Sequence, residues 1–309
     1  MEIKLSKKII DILACPYCGN PLKIADNQAI CTVCQDKYTT SNKGQIDFRL
    51  RRGKTVQLQF EVGTNLLPEK GFDFKVLNKN PFPEVDYTNF KVPSHLNNEL
   101  LSYFPKAKGQ ECIMLDLGCG TTVHKGVCEH AGFEYVGLDY DNSSDAYILG
   151  DGHALPFKDN SFDFILSIAV LEHIQNPFIM MKEVYRVLKP EGKLIGTVAF
   201  MEPFHGNSFY HHSHLGVFNS LSSSGFEIEK VAPSATWSVL KAQAIMGLFP
   251  RLSRSLAHLL VLPLYLLHRI WWKLGSYFSN SYRSSEKYRI LYSTGSFSFI
   301  ATKGEGKKQ

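Results

Sequence analysis

The sequence predicts an α/β fold: a doubly wound, seven-stranded, mostly parallel sheet with a small cysteine-rich unit before it and a helical insertion before its last strand. Three observations support this prediction. Short apolar runs alternate with helical patterns between about residues 94 and 303. Two C-x-x-C pairs precede that region, and a basic, leucine-rich stretch interrupts it near its end.

Composition and charge limit the class of protein. The chain has 309 residues, of which 44% are hydrophobic and 20% charged, so we expect a globular protein with one large domain and a smaller unit. The net charge is +5, yet residues 234–290 alone hold eight basic residues against one acidic residue. This asymmetry favours an anionic neighbour, either a membrane surface or a nucleic acid, over a merely solvated basic face.

The location is predicted from three features. We find no N-terminal stretch that resembles a secretory signal and no apolar run as long as a membrane-spanning helix. Seven cysteines, four of them in two pairs, fit a reducing compartment and a bound metal better than a disulfide framework. We therefore expect a cytoplasmic protein, with peripheral contact at the cytoplasmic face of the membrane as a further expectation.

The two C-x-x-C pairs are Cys15/Cys18 and Cys31/Cys34, twelve residues apart. Each pair turns two thiolates toward one point, and two such turns complete a tetrahedral S₄ site for Zn²⁺. A segment of this size buries little core, so the metal would supply its folding energy. We predict a structural zinc ribbon over residues 1–52, because a closed S₄ site leaves no coordination position for catalysis. A redox C-x-x-C pair is the alternative.

The rest of the chain divides into three predicted parts: a connector arm at 53–93, the main domain at 94–303 with the insertion 234–290, and a tail at 304–309. The arm has turn formers and aromatic residues without clean periodicity. Ser94 is predicted to cap a helix that runs through about Tyr103.

The main domain begins with an apolar strand at 112–117 that ends in the turn Gly118-Cys119-Gly120. Glycines in such a turn let a ligand approach the backbone at the carboxyl edge of a parallel sheet. The next two strands end in acids, Asp139 and Asp151. Since only eleven residues separate these acids, the helix that usually lies between them must be short or absent.

Periodicity and turn signals predict the remaining elements, which are strands at 161–167, 193–198, 227–231 and 296–301 and helices at 177–188 and 215–224. The last strand alternates in polarity and is expected to run antiparallel to its neighbours.

These motifs resemble those of class I S-adenosylmethionine-dependent methyltransferases with a Rossmann-like fold, in particular the Methyltransf_11-like group. The matching stretches are LDLGCG at 115–120, VGLD at 136–139, GDGHALPF at 150–157, DNSFD at 159–163, LEHI at 171–174 and RVLKPEG at 186–192. The resemblance implies a methyl-transferring enzyme with S-adenosylmethionine as cofactor. Residues 12–22 likewise resemble the opening of Trm112-like zinc ribbons, which often sit beside or within methyltransferases.

Carried over by position, the resemblance implies the cofactor contacts. They are Asp116, Gly118, Cys119 and Gly120 at the methionine part, Asp139 at the ribose, Tyr140 beside the adenine, Asp151 and Gly152 at the adenine edge, and Ser167 with Ile168 as the floor. Thr122 replaces the third glycine of the motif and narrows the loop. A dinucleotide dehydrogenase is the alternative fold-level interpretation, but its G-x-G-x-x-G pattern requires glycine at Val123.

An acceptor that must lose a proton needs a base, for which His173, His211 and His212 are candidates. A Glu-His pair such as Glu172-His173 also serves to orient the following helix, and the later histidines, with His205 and His214, also fit a helix start. A histidine metal site would lack a matching acidic ligand. Because no Asn/Asp-Pro-Pro-Tyr motif follows the fourth strand, O- or C-methylation is favoured.

A leucine-rich stretch lies in the insertion 234–290. Fourteen residues between Arg254 and Arg269 form a helix of about 21 Å, shorter than a bilayer core of about 30 Å. The adjacent basic and tryptophan residues favour a helix that lies in the interface. We predict peripheral membrane contact through 245–275. The alternatives are a helix buried on its own domain or in a dimer interface, and nucleic-acid binding.

The leading hypothesis is methyl transfer to a membrane-associated or lipid-linked acceptor, such as a glycolipid or glycan intermediate. Two alternatives stay open. Some rRNA guanine methyltransferases carry an N-terminal zinc ribbon, so the acceptor could be an RNA. The chain could also be a non-catalytic cofactor-binding adaptor, although Asp116, Asp139 and Asp151 are all in place.

Overall fold

An eight-stranded sheet lies at the centre of the molecule, for which a computed structural model describes residues 5–25, 27–60, 67–69, 72–278 and 286–305. Three further strands form a smaller sheet. The strands of the two sheets, in chain order, are β1 (Leu22–Ala25), β2 (Gln28–Cys31), β3 (Lys37–Thr39), β4 (Ile46–Asp47), β5 (Ile113–Leu117), β6 (Glu134–Asp139), β7 (Ile148–Leu149), β8 (Phe162–Ile168), β9 (Leu188–Ala199), β10 (Glu227–Pro233) and β11 (Ser296–Thr302).

Helices cover both faces of this sheet and extend from it. They are α1 (Lys7–Ile12), α2 (Asn98–Leu101), α3 (Lys125–His130), α4 (Pro177–Val187), α5 (His214–Ser222), α6 (Val239–Ala242), α7 (Arg254–Phe278) and α8 (Glu286–Ser293), with a 3₁₀ turn at Leu171–His173 and a π-helical stretch at Gln243–Leu248.

The strand order is β10-β11-β9-β8-β5-β6-β7-β4, and the pairs from β9 to β4 are all parallel. β11 runs antiparallel to both β9 and β10, as predicted. The predicted doubly wound α/β fold is therefore confirmed. The sheet has eight strands rather than seven, because Ile46–Asp47 pairs in parallel with Ile148–Leu149 at the edge.

The sheet is buried on both faces. All five residues of β5 are buried, and alternate residues belong to different apolar clusters: Leu115 and Leu117 to one, Met114 to the other. A parallel strand covered on both faces reads as an unbroken apolar run, which is why its position was predictable from the sequence.

The cysteine-rich unit is a three-stranded antiparallel sheet, β1-β2-β3, attached to the main sheet. The Ala14 N–H donates to the Pro156 carbonyl at 3.0 Å. Residues 140–147, all of them described, contain no helix, as their short length predicted. Gln45 packs there instead, and its side-chain amide donates to the Ser144 and Ala146 carbonyls at 3.0 and 3.1 Å.

The first helix of the main domain, α2, differs from the prediction. α2 is a single turn capped by Asn97, whose side-chain oxygen accepts from the Leu100 N–H at 2.7 Å. Ser94 cannot begin the helix, since His95 has a φ of +63°, outside the right-handed helical region.

The insertion helix α7 has 25 residues, more than the fourteen considered from the sequence. Among its described side chains, only Ala257 and Val261 are buried, so the alternative of a helix buried on its own domain is wrong. Within the described part of the chain, no helix is both long and apolar enough to cross a membrane.

Candidate functional site

The turn after β5 is fixed against β6 at the carboxyl edge of the sheet. The Gly118 and Cys119 N–H groups donate to the Leu138 carbonyl at 2.8 and 3.2 Å. The Gly120 N–H donates to Asp139 Oδ2 at 2.8 Å. Thr122 keeps a positive φ of +54°, so the turn retains a glycine-like conformation at the position where the motif departs from its usual glycine.

Gly118 should tolerate no side chain. Its φ is +73°, and an added Cβ would overlap Val170 Cγ2. We expect Gly118→Ala to lower the free energy of unfolding by about 2–4 kcal/mol, from left-handed strain plus overpacking. Urea denaturation measures this loss. Gly109→Ala, where a Cβ meets open space, is the control and should change stability little. When Gly118→Ala is combined with Val170→Ala, only the part of the stability loss that comes from overpacking should be recovered.

The carboxylate of Asp139 closes the turn. It accepts the Gly120 N–H through Oδ2 and the Asp141 N–H through Oδ1, at 2.8 and 2.9 Å. Tyr140 beside it is 63% exposed. The Arg49 guanidinium carbon lies 5.8 Å from the centroid of the Tyr140 ring, and the guanidinium donates to the backbone carbonyl of Tyr140 at 3.2 Å. Arg49 was not predicted at the site, because it lies outside every motif of the main domain.

Buried polar groups lie beneath the turn. Asp116 Oδ2 accepts from the Tyr135 hydroxyl at 2.7 Å and is 3.4 Å from His124 Nδ1. Asp116 Oδ1 and Ser167 Oγ are buried with no hydrogen-bond partner among the described residues. Such groups are costly unless they bind something polar, so this part of the site fits a charged or hydrogen-bonding ligand. Cys119 is itself buried, and its sulfur faces the Gly137 backbone.

Asp151 is oriented by its neighbours at the end of β7. Its Oδ1 accepts from the His153 N–H and from His153 Nδ1, at 2.9 and 2.6 Å, while His153 Nε2 accepts from the Asn176 N–H. Burial alone would raise the pKa of Asp151, but the hydrogen bonds from His153 outweigh burial and lower the pKa. Gly152 lies against Ile174 and Met180.

The three histidines predicted as bases occupy different surroundings. His173 is half-buried, its ring is 5.4 Å from that of His205, and burial lowers its pKa. The His211 ring is tilted against the Phe204 ring, with the two ring centroids 4.7 Å apart. His212 is buried, and its Nε2 is 3.4 Å from the Leu171 carbonyl. Of the three, His173 is the one that the structure joins to a second histidine and a carboxylate.

Residues 115–196 match the family model Methyltransf_11, described as a methyltransferase domain. This stretch is a Methyltransf_11 methyltransferase domain. It contains the β5 turn, Asp139, Asp151, and Ser167 with Ile168, which the sequence predicts to form the floor of the cofactor site. The family indicates S-adenosylmethionine as the cofactor, and the unpartnered polar atoms beneath the turn fit that ligand.

Two curated bacterial methyltransferases are similar to this domain. An uncharacterized methyltransferase of Mycobacterium leprae is 31% identical over 108 residues, which cover 31% of this chain and 40% of that protein. An uncharacterized methyltransferase of Mycolicibacterium paratuberculosis is 27% identical over 166 residues, which cover 45% of this chain and 64% of that protein. The chain thus spans about half the length of the curated relatives it matches.

Two solved structures show weaker likeness. A complex of the Haloferax volcanii Trm112 methyltransferase activator gives a TM-score of 0.46 at 18% identity, covering 70% of this chain and 91% of that chain. Phosphoethanolamine N-methyltransferase 2 of Haemonchus contortus in complex with S-adenosyl-L-methionine gives a TM-score of 0.42 at 19% identity. The match covers 65% of this chain and 50% of that chain.

Outside the methyltransferase domain, the four predicted cysteine ligands converge. The sulfur–sulfur distance is 3.6 Å between Cys15 and Cys34, 3.5 Å between Cys18 and Cys31, and 3.6 Å between Cys18 and Cys34. These separations exceed a disulfide bond and agree with a tetrahedral ion, whose sulfurs at about 2.3 Å from the metal lie about 3.8 Å apart. Tyr38 Oη lies 3.1 Å from the Cys15 sulfur, in position to support it.

Proposed function

We propose that this chain uses S-adenosylmethionine to methylate an oxygen or carbon atom of a membrane-associated or lipid-linked acceptor, such as a glycolipid or glycan intermediate. The methyltransferase domain and the polar groups at its sheet edge support the reaction. The exposed apolar surface of α7 is the observation that supports the acceptor class.

The residues of the site act by positioning. S-adenosylmethionine supplies a methyl group on a sulfonium, so the protein must hold that methyl in line with the acceptor atom. Asp139 would bind the ribose hydroxyls, Tyr140 would lie beside the adenine, and Asp116 would hold the methionine part. Ser167 and Ile168 would form the floor below the transferred methyl.

The surface of α7 is unusual for a helix exposed to water. Along a length of about 37 Å, it exposes a set of large apolar side chains. They are Leu256, Leu259, Leu260, Leu262, Leu264, Leu266, Leu267, Ile270, Trp271, Leu274, Tyr277 and Phe278. Arg254, Arg269 and Lys273 lie on the same helix. Exposed apolar area with interspersed cations fits a helix lying at an anionic membrane surface.

We also infer that Cys15, Cys18, Cys31 and Cys34 bind a structural Zn²⁺. Their spacing and sulfur separations support this ion over a disulfide. With the four thiolates as ligands, the ion would have no open position, so it would stabilise the N-terminal unit and take no part in methyl transfer.

Methyl transfer is tested by incubating the full chain with methyl-labelled S-adenosylmethionine and separated lipid, glycan and RNA fractions. We expect label in the lipid or lipid-linked glycan fraction. Label in RNA alone would refute the acceptor class and leave an RNA methyltransferase. Cofactor binding without label in any fraction would instead favour a non-catalytic adaptor.

Membrane contact is tested with anionic phosphatidylglycerol vesicles. We expect the triple variant Leu259→Gln, Leu267→Gln, Trp271→Gln to bind roughly 100-fold more weakly, because each of these side chains contributes about 1 kcal/mol on leaving water. Phe82→Ser removes an apolar side chain that lies outside α7 and is even more exposed, and it should leave vesicle binding unchanged. If the triple variant binds vesicles as tightly as the unmodified chain, α7 is not the contact. Sedimentation of the protein without vesicles then reports whether α7 instead joins two copies of the chain in a dimer.

A further inference from the structure

Three potential metal ligands, Glu172, His173 and His205, lie beside the predicted floor of the cofactor site. One ligand atom from each lies within 4.8 Å of the other two. The first two residues belong to the 3₁₀ turn after β8, and His205 belongs to the loop after β9. The loop is held against the turn, because the Phe209 and Tyr210 N–H groups both donate to the Glu172 carbonyl, at 2.7 and 3.2 Å.

Glu172 is a buried carboxylate that lacks a partner. Its residue is 1% exposed, and neither side-chain oxygen has a hydrogen-bond partner within the described part of the chain. Burial raises the pKa of Glu172 to about 7, although the nearby Glu172 and Ala199 backbone groups favour the charged form. A buried, ionised carboxylate is costly unless it is paired or bound to a metal, and a cation between Glu172 and the two imidazoles would meet that requirement.

His205 is oriented as metal-binding histidines usually are. Its Nδ1 is 3.3 Å from the Pro203 carbonyl and 3.8 Å from Glu202 Oε1. The other oxygen of Glu202 accepts from Trp237 Nε1 at 2.6 Å. A ring nitrogen that contacts a carbonyl or carboxylate fixes the tautomer of a ligating histidine, and with Nδ1 of His205 in that role, Nε2 would be the ligand atom.

We propose that Glu172, His173 and His205 bind a divalent first-row transition ion, separate from the four-cysteine site. Two imidazoles and one carboxylate suit such ions and leave coordination positions open. Atoms bound to one ion at about 2.1 Å lie about 3–4 Å apart, so small side-chain movements close the observed cluster. The sequence prediction that a histidine site would lack an acidic ligand is thereby corrected: Glu172 is that ligand.

The role of the ion rests on the proposed methyl transfer. An acceptor hydroxyl bound at an open position would lose its proton to solvent more readily. Its oxygen would then form a bond to the methyl carbon as the carbon–sulfur bond breaks. The electron pair of that bond would stay on sulfur and give S-adenosylhomocysteine.

The test is equilibrium dialysis of the full chain against Co²⁺, with bound metal counted per chain. We expect Glu172→Gln and His205→Ala each to bind about one ion fewer than the unmodified chain, since each removes a ligand. His211→Ala, from the same loop but outside the cluster, should bind the full number. The sulfur-to-cobalt absorption of the cysteine site should be the same in all four proteins.

Measuring the melting temperature separates the loss of a metal ligand from misfolding of a variant. Co²⁺ should raise the melting temperature of the unmodified chain and of His211→Ala more than that of the two ligand variants. His205 is half-exposed, so its variant should fold even if Glu172→Gln does not. Equal ion counts in all four proteins would overturn the proposal. An ion lost in the ligand variants, with methyl transfer as fast as in the unmodified chain, would uphold the site and refute its role in the reaction. An ion lost in those variants, with no methyl transfer even by the unmodified chain, would uphold the site and refute the proposed function.

Discussion

Replacing Cys31 with serine should release one zinc ion per chain and unfold the N-terminal unit. Cys31, the last residue of β2, is fully buried with its sulfur 3.5 Å from that of Cys18, and a serine hydroxyl does not replace a thiolate ligand. Structural zinc sites supply about 10–16 kcal/mol of apparent binding free energy in zinc-finger peptides, more than a segment this small could recover. Zinc content and the melting temperature of the full chain measure the effect.

Cys112→Ser is the matched control, because Cys112 lies outside the four-cysteine cluster. It should keep its zinc and most of its stability. The loss should also extend beyond the N-terminal unit, since β4 pairs with β7 and Gln45 holds residues 144–146 beside the site. A Cys31→Ser protein with unchanged zinc content and melting temperature would refute the zinc site.

Removing the carboxylate of Asp139 should weaken S-adenosylmethionine binding by roughly 100-fold or more. Two hydrogen bonds to a charged group contribute about 1.5–3 kcal/mol each, and the ribose hydroxyls would lose both in Asp139→Ala. The Gly120 and Asp141 N–H groups would lose their acceptor as well, which loosens the turn. Equilibrium dialysis with labelled cofactor measures the affinity.

Asp145→Ala is the control for this loss, because Asp145 is exposed and contacts the turn through its backbone N–H, which donates to the Gly120 carbonyl. Its affinity should match that of the unmodified chain. Asp139→Asn keeps one side-chain oxygen and should fall between the two. Equal affinity of Asp139→Ala and Asp145→Ala would mean that Asp139 does not bind the ribose.

Much of the main domain was predictable because its signals are local. Each central parallel strand is a continuous apolar run, and the glycines of the β5 turn adopt positive φ values that few other residues tolerate. The strand at 162–168 therefore lies within one residue of its predicted bounds, and the strand at 134–139 ends at the predicted acid, Asp139.

What was not predicted depends on contacts between distant parts of the chain. β4 has two residues, too few for any periodicity, and its partner lies about a hundred residues away. Arg49 reaches Tyr140 only because β4 adds to the sheet edge. Glu172 and His205 meet through the path of the loop after β9, which no sequence pattern specifies.

Hydrogen–deuterium exchange of the full chain, with and without saturating S-adenosylmethionine, tests most directly where the cofactor binds. We expect slower exchange in peptides that cover 115–123 and 136–145, because the turn after β5 and the segment after β6 would enclose the ligand. Peptides from 22–39 in the cysteine-rich unit should exchange unchanged. Protection confined to other parts of the chain, or no protection at saturation, would contradict a cofactor site at this edge of the sheet.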